Sequence, residues 1–195
     1  MMDSGLRVDV GDYTKSMPWP LTNVYVIPGW RTPAGTAYAL TAGRISFLLI
    51  FVSERTAYDR IGINVTVAAA GGSLCRVGIY AKGTDGWPGA LILDGGTLAT
   101  DAIAGVENVI ALTLARGYYY TAGVCDDTPT ITSLHFDHSD GPVDGFGANL
   151  TGVAYCGGYA AGEEGQVAGG LTDPAVALTT PADQRACGFV KLRRA

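Results

Sequence analysis

Apolar and polar positions alternate most strictly in the stretch from residue 59 to residue 96. Ile61, Ile63, Val65 and Val67 fall on one side of an extended chain, and Gly62, Asn64, Thr66 and Ala68 on the other. A period of two marks a half-buried strand, because a helix would scatter those four apolar groups around its circumference. After a break at Ala69–Ser73 the alternation resumes, with Cys75, Val77, Ile79 and Ala81 opposed to Arg76, Gly78 and Tyr80. The two segments predict an antiparallel hairpin with a loop longer than two residues. The run from Gly83 to Gly89 is dense in residues that turn the chain, and a third strand, Ala90 to Leu93, leaves it.

The same reading predicts strands over Asn23–Ile27, Arg44–Val52, Thr97–Leu98, Gly105–Leu114, Tyr118–Cys125, Ile131–Phe136 and Ala186–Leu192. Many short strands, frequent turns and no long helical period predict an all-β fold, an antiparallel β-sandwich of jelly-roll type. Residues 31–195 are assigned to the sandwich. Residues 1–30 carry Met17-Pro-Trp-Pro20, whose prolines block regular pairing, and are assigned to an N-terminal arm or docking segment.

The strand Arg44–Val52 differs from the others in being apolar on both faces after Ser46. Such a strand needs cover on both sides, from a long loop of its own chain or from another subunit. We expect a subunit interface here through Phe47, Leu49 and Phe51, with Trp19 of the arm as a further contact.

Composition narrows the function. The 195 residues are 48% hydrophobic and include 28 glycines, which supplies a core but little material for long surface helices. A net charge of −5 with few, scattered basic residues argues against a nucleic-acid groove. The most apolar run, Ile45–Val52, is too short to span a bilayer as a helix, so no membrane insertion is expected. The first residues, MMDSGLRVDVGDY, lack the basic start and apolar stretch of a secretory leader. Cys75, Cys125, Cys156 and Cys187 are widely spaced with no C-x-x-C pair. Cys75 and Cys125 sit inside expected strands, which reads as buried free thiols in a protein made in a reducing cytoplasm.

Catalytic patterns are weak. No G-x-S-x-G occurs, and Ser73 and Ser133 have no base nearby in sequence. No glycine-rich stretch ends in the Gly-Lys-Ser/Thr of a phosphate loop. His135 and His138, with Asp137 and Asp140, have the spacing of metal ligands but read as a solvated turn, so no metal and no cofactor is expected. Asp126, Asp127, Glu163 and Glu164 sit beside turns as sequence neighbours, unlike two acids facing each other across a cleft. The chain is therefore read as a non-enzyme. Aromatic faces for sugar binding are available at Trp87, Tyr155 and Tyr159, with Tyr118 to Tyr120 as further candidates.

Four segments together carry a resemblance: Asp59-Arg-Ile-Gly-Ile-x-Val-Thr, Arg76-Val-Gly-Ile-Tyr, Asp85-Gly-Trp-Pro-Gly-Ala-Leu-Ile-x-Asp94-x-Gly and Leu114-x-Arg-Gly-Tyr-Tyr-Tyr. The region from about residue 36 to residue 125 resembles a β-sandwich domain of bacteriophage virion proteins, of the tail-fibre, receptor-binding and head-decorating kinds. The resemblance implies a structural component of a virion assembled in the bacterial host cytoplasm. It implies other virion proteins as partners, commonly a homotrimer, and a host-surface glycan as the ligand of a tail-fibre or receptor-binding role. A head-decoration or cement protein on the capsid, or a free-standing carbohydrate-binding module, is the alternative.

Overall fold

The structure, a computed structural model, describes residues 25–28, 36–133, 157–178, 180–182 and 188–195. Trp19, Tyr155, the histidines and acids of 135–140, Cys156, Cys187 and nearly all of the expected arm lie outside them.

Eight successive strands form the body: β2 (Thr36–Ala39), β3 (Ile45–Val52), β4 (Thr56–Val67), β5 (Leu74–Lys82), β6 (Pro88–Ala99), β7 (Gly105–Leu114), β8 (Gly117–Cys125) and β9 (Thr130–Ser133). They pair as nested antiparallel partners, β5 with β6, β4 with β7, β3 with β8 and β2 with β9. Residues 36–133 thus form one long hairpin with its apex at residues 83–87, rolled up so that alternate pairs fall in opposite sheets. One sheet runs β2-β9-β4-β7 and the other β3-β8-β5-β6. That nesting is the topology of a jelly roll. The remaining strands extend it. β12 (Lys191–Arg194) pairs with β4 and β1 (Tyr25–Val26) with β12, while β10 (Gly157–Ala160) and β11 (Thr180–Ala182) continue the second sheet beyond β3.

The expected hairpin between the 61–67 and 75–81 segments is corrected. β4 and β5 lie in different sheets, so the chain between them crosses from one layer to the other. The strand faces were read in the right sense, since Ile61, Ile63 and Val65 meet Cys75, Val77 and Ile79 across the sheets instead of beside one another within one. Val67 is the exception. A shift in the β4–β9 register between Val65 and Val67 leaves it 56% exposed. The strand expected at Ala90–Leu93 is longer, absorbs Thr97–Leu98, and reaches Ala99.

Leu48, Ile50 and Val52 of β3, Leu112 and Leu114 of β7, Ile131 of β9 and Leu192 of β12 complete the core between the sheets. Each such side chain contributes about 1.5–3 kcal/mol through burial. Ion pairs and amide bonds then fix the rim. Arg193 of β12 donates to both Asp59 oxygens of β4, at 2.9 and 2.8 Å. Asn108 of β7 donates to the Gly95 and Thr97 carbonyls of β6, at 2.8 and 3.0 Å, and so ties one sheet to the other.

A second apolar cluster lies on the outer face of β3-β8-β5. It contains Ile45, Phe47 and Leu49, Tyr80, and Tyr120, Ala122 and Val124, together with Ala160, Val167 and Leu171. Its lid is the chain's own segment 161–178, which includes the single-turn helix α1 (Gly165–Gly169). Phe47 is 0% and Leu49 5% exposed under this cover. The cover expected from a second subunit is supplied for these two residues by the chain itself. Phe51 is only half-buried, and its ring lies 4.8 Å from that of Tyr118, which is 39% exposed.

Candidate functional site

The apex of the rolled hairpin forms one wall of an open groove. Between β5 and β6, Gly83 donates its N–H to the Trp87 carbonyl at 2.6 Å, and Gly86 donates to the Gly83 carbonyl at 3.1 Å. Gly86 has φ of 95°, a conformation side chains resist, which is why glycine occupies it. Asp85 accepts the Trp87 N–H at 3.1 Å, a local side-chain bond of the kind that fixes turns. From beneath, the Tyr120 hydroxyl donates to the Gly86 carbonyl at 2.6 Å. The turn is thereby bonded to a buried ring of the second sheet and holds Trp87 in place.

Segment 175–178 forms the other wall. Ala175 donates its N–H to the Gly89 carbonyl at 2.9 Å, and Asp173 accepts the Leu91 N–H at 2.9 Å. The segment therefore runs along the start of β6. Farther back, Arg76 of β5 pairs with Asp94 of β6 at 2.9 Å and also donates to the Val167 carbonyl of α1 at 2.9 Å. Leu171 donates its N–H to Asp94 at 3.2 Å. Gln166, itself buried, accepts the Thr172 N–H at 3.1 Å, and the Tyr80 hydroxyl donates to the Thr172 carbonyl at 2.8 Å. Burial alone would raise the Asp94 carboxyl. Arg76 and the N–H groups of Gly96 and Leu171 outweigh it and hold that carboxyl below its ordinary value. Burial pushes the Tyr80 hydroxyl up to about 12, so it remains a donor.

The groove between these walls has a volume of about 310 Å³. Asp85, Trp87 and Pro88 line one side and Ala175, Val176, Ala177 and Leu178 the other. A flat aromatic face, a short aliphatic wall and one carboxylate suit a ligand with an apolar face and hydroxyl groups at its edge. Among the described residues of this lining Asp85 is the one ionisable side chain, and none of them sets a nucleophile beside a base. Among the described residues no three His, Cys, Asp or Glu side chains gather as metal ligands.

Among the described residues, the sugar-binding candidates Trp87 and Tyr159 do not converge. Trp87 lies in the groove. Tyr159 of β10 packs instead against the core between the sheets, with the Arg44 guanidinium 3.3 Å above its ring. β3 and β8 separate β10 from β5. Tyr120 is buried under the lid, and Tyr155 is outside the described residues. Three of the four acids considered for catalysis have structural partners. Asp126 accepts the Leu74 N–H and Asp127 the Ala70 N–H, each at 2.9 Å, and Glu163 accepts from Gln166 at 2.7 Å. The wall at 175–178 and its anchor Asp173 were missed by the sequence reading, because a segment without alternation carries no signal of what it covers.

Comparison with known proteins adds no relative: no family model, no curated protein and no solved structure matches this chain.

Proposed function

We propose that this chain is a non-catalytic structural component of a bacteriophage virion, of the tail-fibre or receptor-binding kind, and that its apex groove contacts a host-surface glycan. The observation that carries the ligand reading is Trp87, held by the turn bonds of Asp85 and Tyr120 on the wall of an open groove. Because the backbone that carries Trp87 is already ordered, less entropy is lost when a sugar stacks on its ring. The structural bonds of Asp94, Asp126, Asp127 and Glu163 favour binding over catalysis. The virion assignment rests on the sequence resemblance.

A glycan array probed with the purified chain tests the ligand reading. Binding that is lost in Trp87→Ala and kept in a folded Tyr159→Ala variant is expected. Equal binding by wild type and Trp87→Ala would remove the groove from the account. We assign the remaining subunit contact, in a homotrimer, to the half-buried Phe51 and its neighbour Tyr118. Light scattering should then give three copies, and a monomer would favour a free-standing module. Antibody labelling of parent particles should mark the tail; regular labelling over the head would replace receptor contact with cementing.

A further inference from the structure

Cys75 is the second residue of β5 and Cys125 the last of β8, and the strand register sets them directly opposite each other. One step along, Asp126 donates its N–H to the Leu74 carbonyl at 3.1 Å, which makes Leu74 and Asp126 a hydrogen-bonded pair. Pairs alternate in an antiparallel ladder, so Cys75 and Cys125 form the non-hydrogen-bonded kind. In such pairs Cα atoms stand about 4.5 Å apart and side chains lie closest. The Cys125 carbonyl agrees, because it points to the far side and accepts from Gly43 at 2.8 Å. A Cα separation of that size lies within the range of about 4.4–6.8 Å that a disulfide spans. Both side chains face the core between the sheets, 0% and 1% exposed, and both are free thiols in this structure.

We infer that Cys75 and Cys125 are a site of reversible oxidation, closed to a cross-strand disulfide by a small-molecule disulfide such as oxidised glutathione. One cysteine thiolate attacks a reagent sulfur, which forms a mixed disulfide and releases one reagent thiolate. The other cysteine then attacks the protein-side sulfur of that mixed bond and releases the second reagent thiolate. In sum the two cysteines lose two protons and two electrons, and the reagent's S–S bond becomes two thiols. The site does not depend on the groove or on its ligand.

The hydrogen bond from Cys75, with burial, pushes the Cys125 thiol up, so attack from the closed fold is slow. Both residues sit at strand ends beside loops, where local opening needs the least free energy. Closure is therefore fast during folding and slow afterwards. Once formed, the bond joins two strands of the second sheet and restricts the unfolded chain.

The test refolds the full chain from denaturant in a glutathione redox buffer, alkylates remaining thiols, and maps peptides by mass spectrometry. The expected product links the Cys75 and Cys125 peptides, weighs about 2 Da less than the reduced chain, and melts higher than the same protein after dithiothreitol. Native protein held with oxidised glutathione should give the same link more slowly. Cys125→Ser should show neither the link nor a reductant-sensitive Tm. Wild-type mapping with and without dithiothreitol decides the matter should that variant not fold. A native-like protein with both cysteines fully alkylated would overturn the inference, and so would a preferred link from either one to Cys156 or Cys187.

Discussion

Between the sheets, Ile61, Ile63 and Val65 meet Val77 and Ile79 because ladder pairing and alternation bring them there. On the outer face of the second sheet, Phe47 meets Tyr80 edge-on at 5.4 Å under a lid with little regular structure of its own. That lid is positioned by Arg76, Asp94, Gln166 and Tyr80, whose polar atoms bond its backbone. The first cluster is specified by periodicity, the second by individual anchors. A ladder can lose one contact and keep its register, whereas a lid held by a few bonds answers to each of them. The groove lies where the lid meets the hairpin apex, so its far wall inherits that dependence.

The largest expected effect falls on the ladder-built core. Ile63→Asp puts an unpaired charge between the sheets at a cost of more than about 4 kcal/mol, much of a domain's total stability. Circular dichroism should show loss of the native fold, and a soluble native-like variant would reverse the assignment of the β4 faces. Leu171→Ala should cost less, about 2–4 kcal/mol, by opening a cavity under the lid. Its expected mark is faster amide exchange across 165–178 with β4 unchanged. Uniform loosening of both layers would dissolve the distinction between them.

Asp94→Asn removes the charge that Arg76 and two backbone N–H groups share, with an expected loss of about 1–2 kcal/mol in denaturant melts. The pH dependence has a definite sign. The folded Asp94 carboxyl lies below its ordinary value of 3.8, so the unfolded chain binds the proton first as pH falls. The stabilisation is complete above that value and disappears as pH drops through the lower folded one. Wild type should therefore lose stability below about pH 3.8 more steeply than Asp94→Asn. Parallel curves would contradict this. The smallest effect is expected for Tyr80→Phe, which deletes one bond to Thr172 at about 1 kcal/mol. It should widen the gap in exchange rate between lid and ladder without altering the core.

This contrast also explains what could be read in advance. β7 and β8 end within a residue of where the Arg116–Gly117 and Asp126–Pro129 turns place them. Apolar or aromatic runs bounded by turn residues mark strand ends even where, as in β8, both faces are buried. The pairing of β4 was misjudged because a turn signal shows that the chain reverses, not which sheet receives it. A sign was present. β4 carries polar Asn64 and Thr66 opposite its core face, while β5 carries Gly78 and Tyr80 there, both buried. A Cβ at Gly78 would collide with Leu171 and the Leu93 carbonyl, so that glycine makes room for the lid. Covered on both faces, β5 belongs with β3 and β8. The lid itself could not be read, since its apolar residues Val167, Leu171 and Val176 follow no strand period and earn their places only in three dimensions. Trp87 was legible as a turn aromatic, but its groove partner at 175–178 was not.

Native-state hydrogen exchange, resolved by residue, tests most directly whether the outer face of β3 is closed by its own chain. Amides of Leu171 and Ala175 should exchange far more slowly than an unstructured chain, and open before those of Ile61 and Ile63 as denaturant rises. Random-coil exchange at Leu171 and Ala175 in the isolated protein would contradict the account, leaving Phe47 and Leu49 uncovered.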